Sequence, residues 1–345
     1  MVTIKQIAEK AGVSIGTVDR VLHDRGNVSA DAKARVLDAV GALNYTPNLY
    51  ARQLKLSRTH TFGVIMPELD QDSGYWEMPG RGIEQARREL EAHRVAVRYF
   101  HYDRYSHMSF SKCCEAALQA DLDGFLMAPA LSTIAKEFVE RLPQGVPCVF
   151  FDSPVPEGNG LCSIVQDSYA SGFLAGRLMT LLTGDASTVA AIRGLSGDYH
   201  IQQRITGFSD YFQQNCLPSP QIVDSTRHDD KECLRHLIAD LLQAHPRLKG
   251  LFVSDAVTFC AAQVLDEQGM ADKVFLIGYD LLPQNVHYLK QGQIDFLISQ
   301  QSKQQGYHGI YALFRNVVLK ERVAATVMMP IDIITRENVD FYPID

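Results

Sequence analysis

From Phe62 to Ser299 the chain alternates short apolar runs with longer amphipathic stretches, and this alternation constrains the fold more than any other feature. The apolar runs are Phe62–Met66, Val95–Phe100, Gly124–Met127, Cys148–Phe151, Ser187–Ile192, Gly250–Val253, Val274–Gly278 and Phe296–Ser299. Each is too short for a buried helix and is bounded by polar or turn residues, so each reads as a strand buried on both faces. Between them lie stretches with helical periodicity, such as Arg81–His93, Ser168–Leu182 and Lys231–Ala244. Strand and helix in repeated alternation predict parallel sheets with helices on both faces. Eight such strands also suit one closed barrel. Two features favour two open, doubly wound lobes instead. The stretch P-V-P-E-G-N-G at 154–160 interrupts the pattern, and the runs after it repeat the earlier spacing.

In open α/β sheets ligands bind beyond the carboxyl ends of the strands. The residues found there are Tyr75 and Trp76 after the first run, Asp103 after the second, and Asp152 after the fourth. Arg204 lies beyond the fifth, Asp255 follows G-L-F-V-S, Tyr279 and Asp280 follow F-L-I-G, and Gln300 follows the last run. Carboxylates, amides and arginine bind hydroxyls, and aromatic rings cover the apolar C–H face of a sugar. Each residue also has a plainer role, since a tyrosine packs and an aspartate caps the next helix.

The first sixty residues have a different pattern. Thr3 and Gln6 form a T-x-x-Q capping box ahead of Ile4, Ile7, Ala8 and Ala11, and Gly12 ends that helix. Ser14 caps a second helix from Ile15 to His23, buried through Val18, Val21 and Leu22. Asp24 to Asn27 form a loop, and Ser29 starts a third helix buried through Ala32, Val36, Ala39, Val40 and Leu43. This is the helix-turn-helix plan, in which the second helix enters the major groove of DNA. Ile15, Gly16, Thr17, Asp19 and Arg20 are left facing outward; a generic three-helix bundle would show the same periodicity. Charge supports the DNA reading: residues 1–60 carry nine basic and five acidic side chains, whereas the whole chain is at −7. A basic head on an acidic body implies that only the head meets a polyanion.

These first residues read V-T-I-K-x-I-A-x-x-A-G-V-S-x-x-T-V-x-R-V-L, then V-S-x-x-x-x-x-R-V, then L-x-Y-x-P-N-x-x-A-R-x-L. Over about 55 residues without a gap this closely resembles the DNA-binding head of the LacI/GalR family of bacterial repressors. The resemblance implies that Ile15, Gly16 and Arg20 stand at base-reading positions and that Thr3, Ser14, Thr17 and Asn27 contact phosphates. It identifies Pro47–Lys55 with the family's hinge helix, which folds only as a pair against DNA. There Leu54, with Lys55 beside it, matches the leucine that wedges into the minor groove. Asp19 departs from the family, whose pattern is T-V-S-R where this chain has T-V-D-R. It can accept from cytosine N4, pair with and orient a nearby Arg or Lys, or weaken non-specific binding.

The body carries looser matches: V-P-C-V-F-F-D-S at 146–153, R-x-x-G-F at 204–208, and I-G-Y-D-x-x-P followed by L-K-Q-G-Q-I-D-F-L-I-S-Q-Q within 277–301. These resemble the family's effector domain, which has a periplasmic-binding-protein-like fold of the ribose-binding type. The resemblance places Tyr75, Trp76, Arg204, Asp255, Tyr279, Asp280 and Gln300 in the cleft and Asp152 near its wall. Ala128-Pro129 and Ser254 depart from the ribose-binding pattern, so ribose itself does not carry over.

The expected organisation is therefore a helix-turn-helix head over 1–46, a hinge helix and linker over 47–59, and a two-lobed body over 60–345. The first lobe is expected over 60–162 and 294–323, the second over 163–293 and 324–345. The expected function is transcriptional regulation, most simply repression, as a homodimer on a palindromic operator, controlled by a mono- or small saccharide. A nucleobase-like or phosphorylated effector is the alternative, as is a binding protein with no DNA role. No G-x-S-x-G, phosphate-cradling glycine loop or metal-spaced histidine pair is present, so no enzyme, metal or cofactor is expected. Seven cysteines in no zinc or C-x-x-C spacing read as reduced thiols. The N-terminal stretch lacks a secretory pattern, and no apolar run is long enough to span a membrane. The expected location is the cytoplasm.

Overall fold

The computed structural model describes residues 4–22, 28–43, 58–129, 131–195, 197–225 and 231–342. Thr3, Asn27, Leu54, Lys55 and the expected hinge helix lie outside the described residues. The chain divides into two compact units, Met1–Ser57 and Arg58–Asp345.

In the first unit, α1 (Ile4–Ala11), α2 (Ile15–Leu22) and α3 (Ala30–Ala42) close on a small core of Ile7, Ala8, Ala11, Val18, Val21, Val36 and Ala39. The turn between α1 and α2 needs Gly12, whose φ of +65° is one that L side chains adopt rarely. Arg35 on α3 donates to the Ala11 carbonyl, satisfying an acceptor left open at the end of α1. Ser29 accepts from the Ala32 amide and caps α3.

The second unit contains two six-stranded sheets. Its elements are β1 (His60–Pro67), α4 (Glu77–Glu89), β2 (Val95–Tyr102), α5 (His107–Leu118), β3 (Gly124–Met127), α6 (Ser132–Glu140), β4 (Cys148–Phe151) and β5 (Cys162–Gln166). There follow α7 (Ser168–Thr183), β6 (Thr188–Arg193), α8 (Tyr199–Gln214), β7 (Gln221–Asp224), α9 (Lys231–Ala244), β8 (Leu248–Val253) and α10 (Thr258–Glu267). The last are β9 (Phe275–Tyr279), α11 (Pro283–Lys290), β10 (Phe296–Ser299), α12 (Ser302–Leu313), β11 (Thr326–Met329) and β12 (Asp332–Ile334). The first sheet has the order β11-β5-β4-β3-β1-β2 and the second β12-β10-β9-β8-β6-β7. All pairings are parallel except β10 with β12. Alternate residues of each central strand enter opposite cores: Val64 and Met66 face one side, Ile65 the other. Buried on both faces, such strands read as continuous apolar runs.

The eight expected strands are present within one to two residues at their ends. Four more, β5, β7, β11 and β12, carry apolar runs of only two or three residues, because most lie at or next to a sheet edge and are partly exposed. Their placement corrects the expected lobe boundaries. Cys162–Gln166 and Thr326–Met329 pair with each other in the first sheet, and Phe296–Ser299 joins the second. Each strand first completes its sheet, and the chain then crosses between lobes at the strand's carboxyl end, after Gln166, Ser299 and Met329. The carboxyl ends of both sheets therefore meet at the crossings, and the cleft lies there.

Candidate functional site

On the first unit, α2 buries Val18 and Val21 and exposes Ser14, Ile15, Gly16 and Arg20, while Thr17 and Asp19 are half-buried. Ile15 is 54% exposed, so its apolar side chain is open to solvent on this face. Ser14 Oγ accepts from the Thr17 amide at 3.2 Å and lies 2.9 Å from the Thr17 hydroxyl. Both hydroxyls are thus fixed at the N-terminus of α2, where backbone N–H groups favour an anion.

In the second unit the cleft is built from the loops beyond β1, β2, β4, β8, β9 and β10. Tyr75 is its pivot. Its hydroxyl donates to Asp152 Oδ1 at 2.6 Å and accepts from Gln300 Nε2 at 2.9 Å and from Ser302 at 3.0 Å. Gln300 Nε2 also donates to Asp280 Oδ2 at 2.8 Å, and its carbonyl oxygen accepts from Arg204 Nη2 at 2.9 Å. Arg204 donates through Nη1 to the Ser254 carbonyl and lies over the Tyr279 ring, 3.7 Å from its centroid. Helices α7 and α8 set the position of Arg204 by close approach. A Cβ on Gly172 would stand 2.0 Å from the Arg204 carbonyl oxygen, and one on Gly207 2.1 Å from that of Tyr169.

The opposite wall is formed by Arg104. It donates through Nη1 to Asp72 Oδ2 at 2.7 Å and through Nη2 to Asp198, and it lies over Trp76, 5.3 Å from the ring centroid. Trp76 and Tyr105 also donate to Asp72, at 2.9 and 2.7 Å. Asp72, Tyr75, Arg104, Asp152, Asp255 and Asp280 surround a cavity of about 20 Å³, together with His200, Ile201, Arg204 and Gln300. That volume holds about one water molecule.

Of the residues expected in the cleft, Tyr75, Asp152, Arg204, Asp255, Asp280 and Gln300 line this cavity. Asp103 does not: it accepts from Gln71 and from the Tyr105 amide, organising the loop that carries its neighbour Arg104 inward. Trp76 and Tyr279 are fully buried behind the wall, their faces covered by the two arginines, so neither ring offers a stacking surface here. The sequence reading missed Asp72, Arg104, Asp198 and His200. His200 was accessible to it, because four residues before Arg204 is one helical turn on the same face; the αL turn at Asp72 and Ser73 leaves no such signal.

Burial sets the electrostatics. It raises the Asp280 carboxyl to about 6 against the opposing pull of Arg204 and Gln300. It raises Asp198 to about 6 against Arg104, and raises Asp152 as well. It holds His200 well below its usual range, with Arg204 and Arg104 adding to the effect, so the imidazole is neutral. Burial pulls Arg104 down, but Asp198 and Asp72 outweigh it and hold the guanidinium well above its ordinary value. Three buried nitrogens around the cavity, Arg104 Nε, Arg204 Nε and His200 Nδ1, have no hydrogen-bond partner among the described residues. His200 Nδ1 stands 4.0 Å from Asp152 Oδ2, too far for a direct bond.

Comparison with known proteins agrees with both halves of this description. Residues 3–48 match the bacterial regulatory proteins of the lacI family, and residues 62–321 match a periplasmic binding protein domain. The ribose operon repressor of Bacillus subtilis is 26% identical over 290 residues, covering 83% of each chain. The transcriptional repressor PurR of Mannheimia succiniciproducens is 25% identical, covering 98% of this chain and 99% of its own. A solved chain described as a LacI transcriptional regulator from Bacteroides fragilis superposes with a TM-score of 0.76 at 27% identity, covering 83% of this chain and all of the other.

Proposed function

Because this chain belongs to the LacI/GalR family of DNA-binding transcriptional regulators, we propose that it is a repressor whose operator affinity is set by a neutral monosaccharide bound between its two lobes. The observation that carries the ligand class is the mixture of groups around the cavity. Arg204 Nε and His200 Nδ1 lack partners among the described residues, and Asp152, Asp255 and Asp280 face the same space. A buried guanidinium N–H calls for an acceptor, a neutral imidazole nitrogen takes either role, and carboxylates call for donors. A hydroxyl is both at once. A phosphate or carboxylate only accepts and is repelled by the aspartates; an ammonium only donates and leaves Arg204 unsatisfied. A flat nucleobase needs a ring face to stack on, and Arg204 covers that of Tyr279. The ribose operon repressors among the relatives support this class of ligand.

On the DNA side, Arg20 and Ile15 read base edges, Gly16 stands at a reading position but offers only its backbone, and Ser14 and Thr17 hold phosphates. Arg20 is the strongest reader, because a guanidinium makes two parallel bonds to guanine O6 and N7. A head of this type reads half-sites in pairs, so the working species is a homodimer on a palindromic operator. No helix among the described residues is long and apolar enough to cross a membrane, in keeping with a DNA-bound protein acting in the cytoplasm. The protein acts by binding, with no catalytic step.

The test is a thermal-shift panel of D-ribose, D-arabinose, D-xylose, D-glucose, D-galactose, D-ribose 5-phosphate, adenine and hypoxanthine. A ligand that prefers the folded state raises the midpoint. One or more neutral sugars are expected to do so and to change operator binding in a mobility-shift assay. A shift from the phosphate or the bases alone would refute the ligand class.

A further inference from the structure

Arg104 is the one side chain that bridges the cleft by ion pairs to both lobes among the described residues. Its loop follows β2 in the first lobe, where Nη1 pairs with Asp72. Its Nη2 reaches Asp198, which precedes α8 in the second lobe. All three side chains are less than a tenth exposed. A guanidinium suits this position because its rigid fork addresses two carboxylates at once. With Arg104 so placed, the cavity has no room for a monosaccharide. The lobes also touch beyond the ion pairs: Trp76 lies in the same buried cluster as Ala256 and Leu282 of the second lobe.

We propose that Arg104 is a built-in competitor for the cleft, an arginine latch that closes the two lobes on the protein's own groups and that an effector has to displace. This rests on the reading of the cleft as the effector site, but the closure itself does not depend on which ligand enters. Arg104 supplies donors to Asp72 and Asp198, as the hydroxyls of a sugar do. An entering ligand therefore exchanges one set of hydrogen bonds for another, and the cost of breaking the latch is subtracted from its affinity. In the sequence the latch residues are Arg104, directly after Asp103 on the loop after β2, and Asp198, ahead of R-x-x-G-F.

The chain has a single tryptophan, Trp76, and it sits under Arg104 at 2% exposure. Its accessibility to acrylamide, together with the radius of gyration from small-angle scattering, reports the opening of the lobes without any ligand. Two variants break the latch from opposite lobes, Arg104→Met and Asp198→Asn. Both are expected to raise the quenching constant of Trp76 by about twofold or more and to enlarge the particle, with unchanged circular dichroism. Arg104→Met is expected to bind the active sugars of the panel more tightly than the wild type. If Arg104→Met fails to fold, Asp198→Asn decides the question. Unchanged quenching and size in a folded variant overturn the latch, even if a sugar binds. Opening in the variants with no sugar binding by any form leaves the latch standing and refutes the sugar reading instead.

Discussion

The Asp280 carboxyl makes effector binding pH-dependent by an amount that follows from its surroundings. Burial holds it at about 6, and in the cavity wall it already accepts from Gln300 Nε2 and lies beside Arg204. A sugar hydroxyl that donates to it needs the ionised form. Above pH 7 the carboxylate is already ionised and nothing opposes binding. At pH 5 roughly ten of eleven molecules carry the proton, so affinity falls about tenfold, and complex formation releases a proton. If Asp198, also at about 6, is engaged by the same ligand, the combined loss is about a hundredfold. Calorimetry with the most stabilising sugar at pH 7.5, 6.0 and 5.0, in buffers of different ionisation enthalpy, measures both the loss and the proton. Unfolding through these groups runs the other way. A carboxyl raised in the folded state stabilises the fold below its unfolded pKa, and that stability is lost as pH rises through about 6. Acid therefore strengthens this part of the fold while it weakens binding. Asp280→Asn should bind more weakly at pH 7.5 and lose its share of the pH dependence. A wild-type affinity equal within about twofold at pH 5.0 and 7.5 would refute the placement of a ligand donor on Asp280.

Arg20→Ala should lose about 1–3 kcal/mol of discrimination between a palindromic operator and its guanine-substituted variants, measured by competition binding; retained preference removes Arg20 as a reader. Asp19→Ser separates the readings of that acid: blurred base preference assigns it a positioning role, and uniformly tighter binding to all DNA assigns it the weakening of non-specific contact. Tyr75→Phe strips the hydroxyl that joins Asp152, Gln300 and Ser302 and should lower stability by about 1–3 kcal/mol in urea unfolding, because buried polar groups lose their partner. Gly207→Ala forces a methyl to within 2.1 Å of the Tyr169 carbonyl oxygen, so α7 and α8 must separate; the expected cost is about 1–3 kcal/mol, with weakened sugar binding as Arg204 shifts.

How much of this was legible in the sequence depended on whether a residue's role is local or relational. The central strands were readable because burial on both faces writes itself as an unbroken apolar run, as in Cys148–Phe151. Edge strands such as β7 have partly exposed faces and carry no such run. Asp152, Asp255, Asp280 and Gln300 were readable because they stand within two residues of a strand end, where chain direction alone places them, whereas Tyr75 and Arg204 lie well beyond β1 and β6 and were placed by the family resemblance. Arg104 was missed by one position, because the strand end does not say which of two neighbouring polar residues turns inward. That choice is made by Gln71, which accepts from the Arg104 amide and donates to Asp103, more than thirty residues away in the chain. The rings of Trp76 and Tyr279 were legible as aromatic but not as covered, since the covering arginines come from other loops.

The two lobes repeat each other most closely where the cleft residues sit. Asp152 follows β4 and Asp280 follows β9, the corresponding strands of the two sheets, and both adopt the left-handed region, at φ 68° and 63°. Such a conformation is costly outside glycine and tolerated best by aspartate and asparagine, so each turn holds a buried carboxylate where the sheets face one another. Each is fixed by a glutamine from the crossing after β10. Gln305 accepts from the Asp152 amide, and Gln300 bonds Asp280, Arg204 and Tyr75 together. The same crossing is tied to the other two by Gln166, which donates to the carbonyls of Ser299 and Pro330. A ligand that competes for Gln300 therefore acts on a side chain whose backbone belongs to the hinge. In the proposed function recognition and lobe movement would therefore share one set of hydrogen bonds, and a ligand that favours one lobe arrangement over the other would have a direct mechanical route by which to shift it.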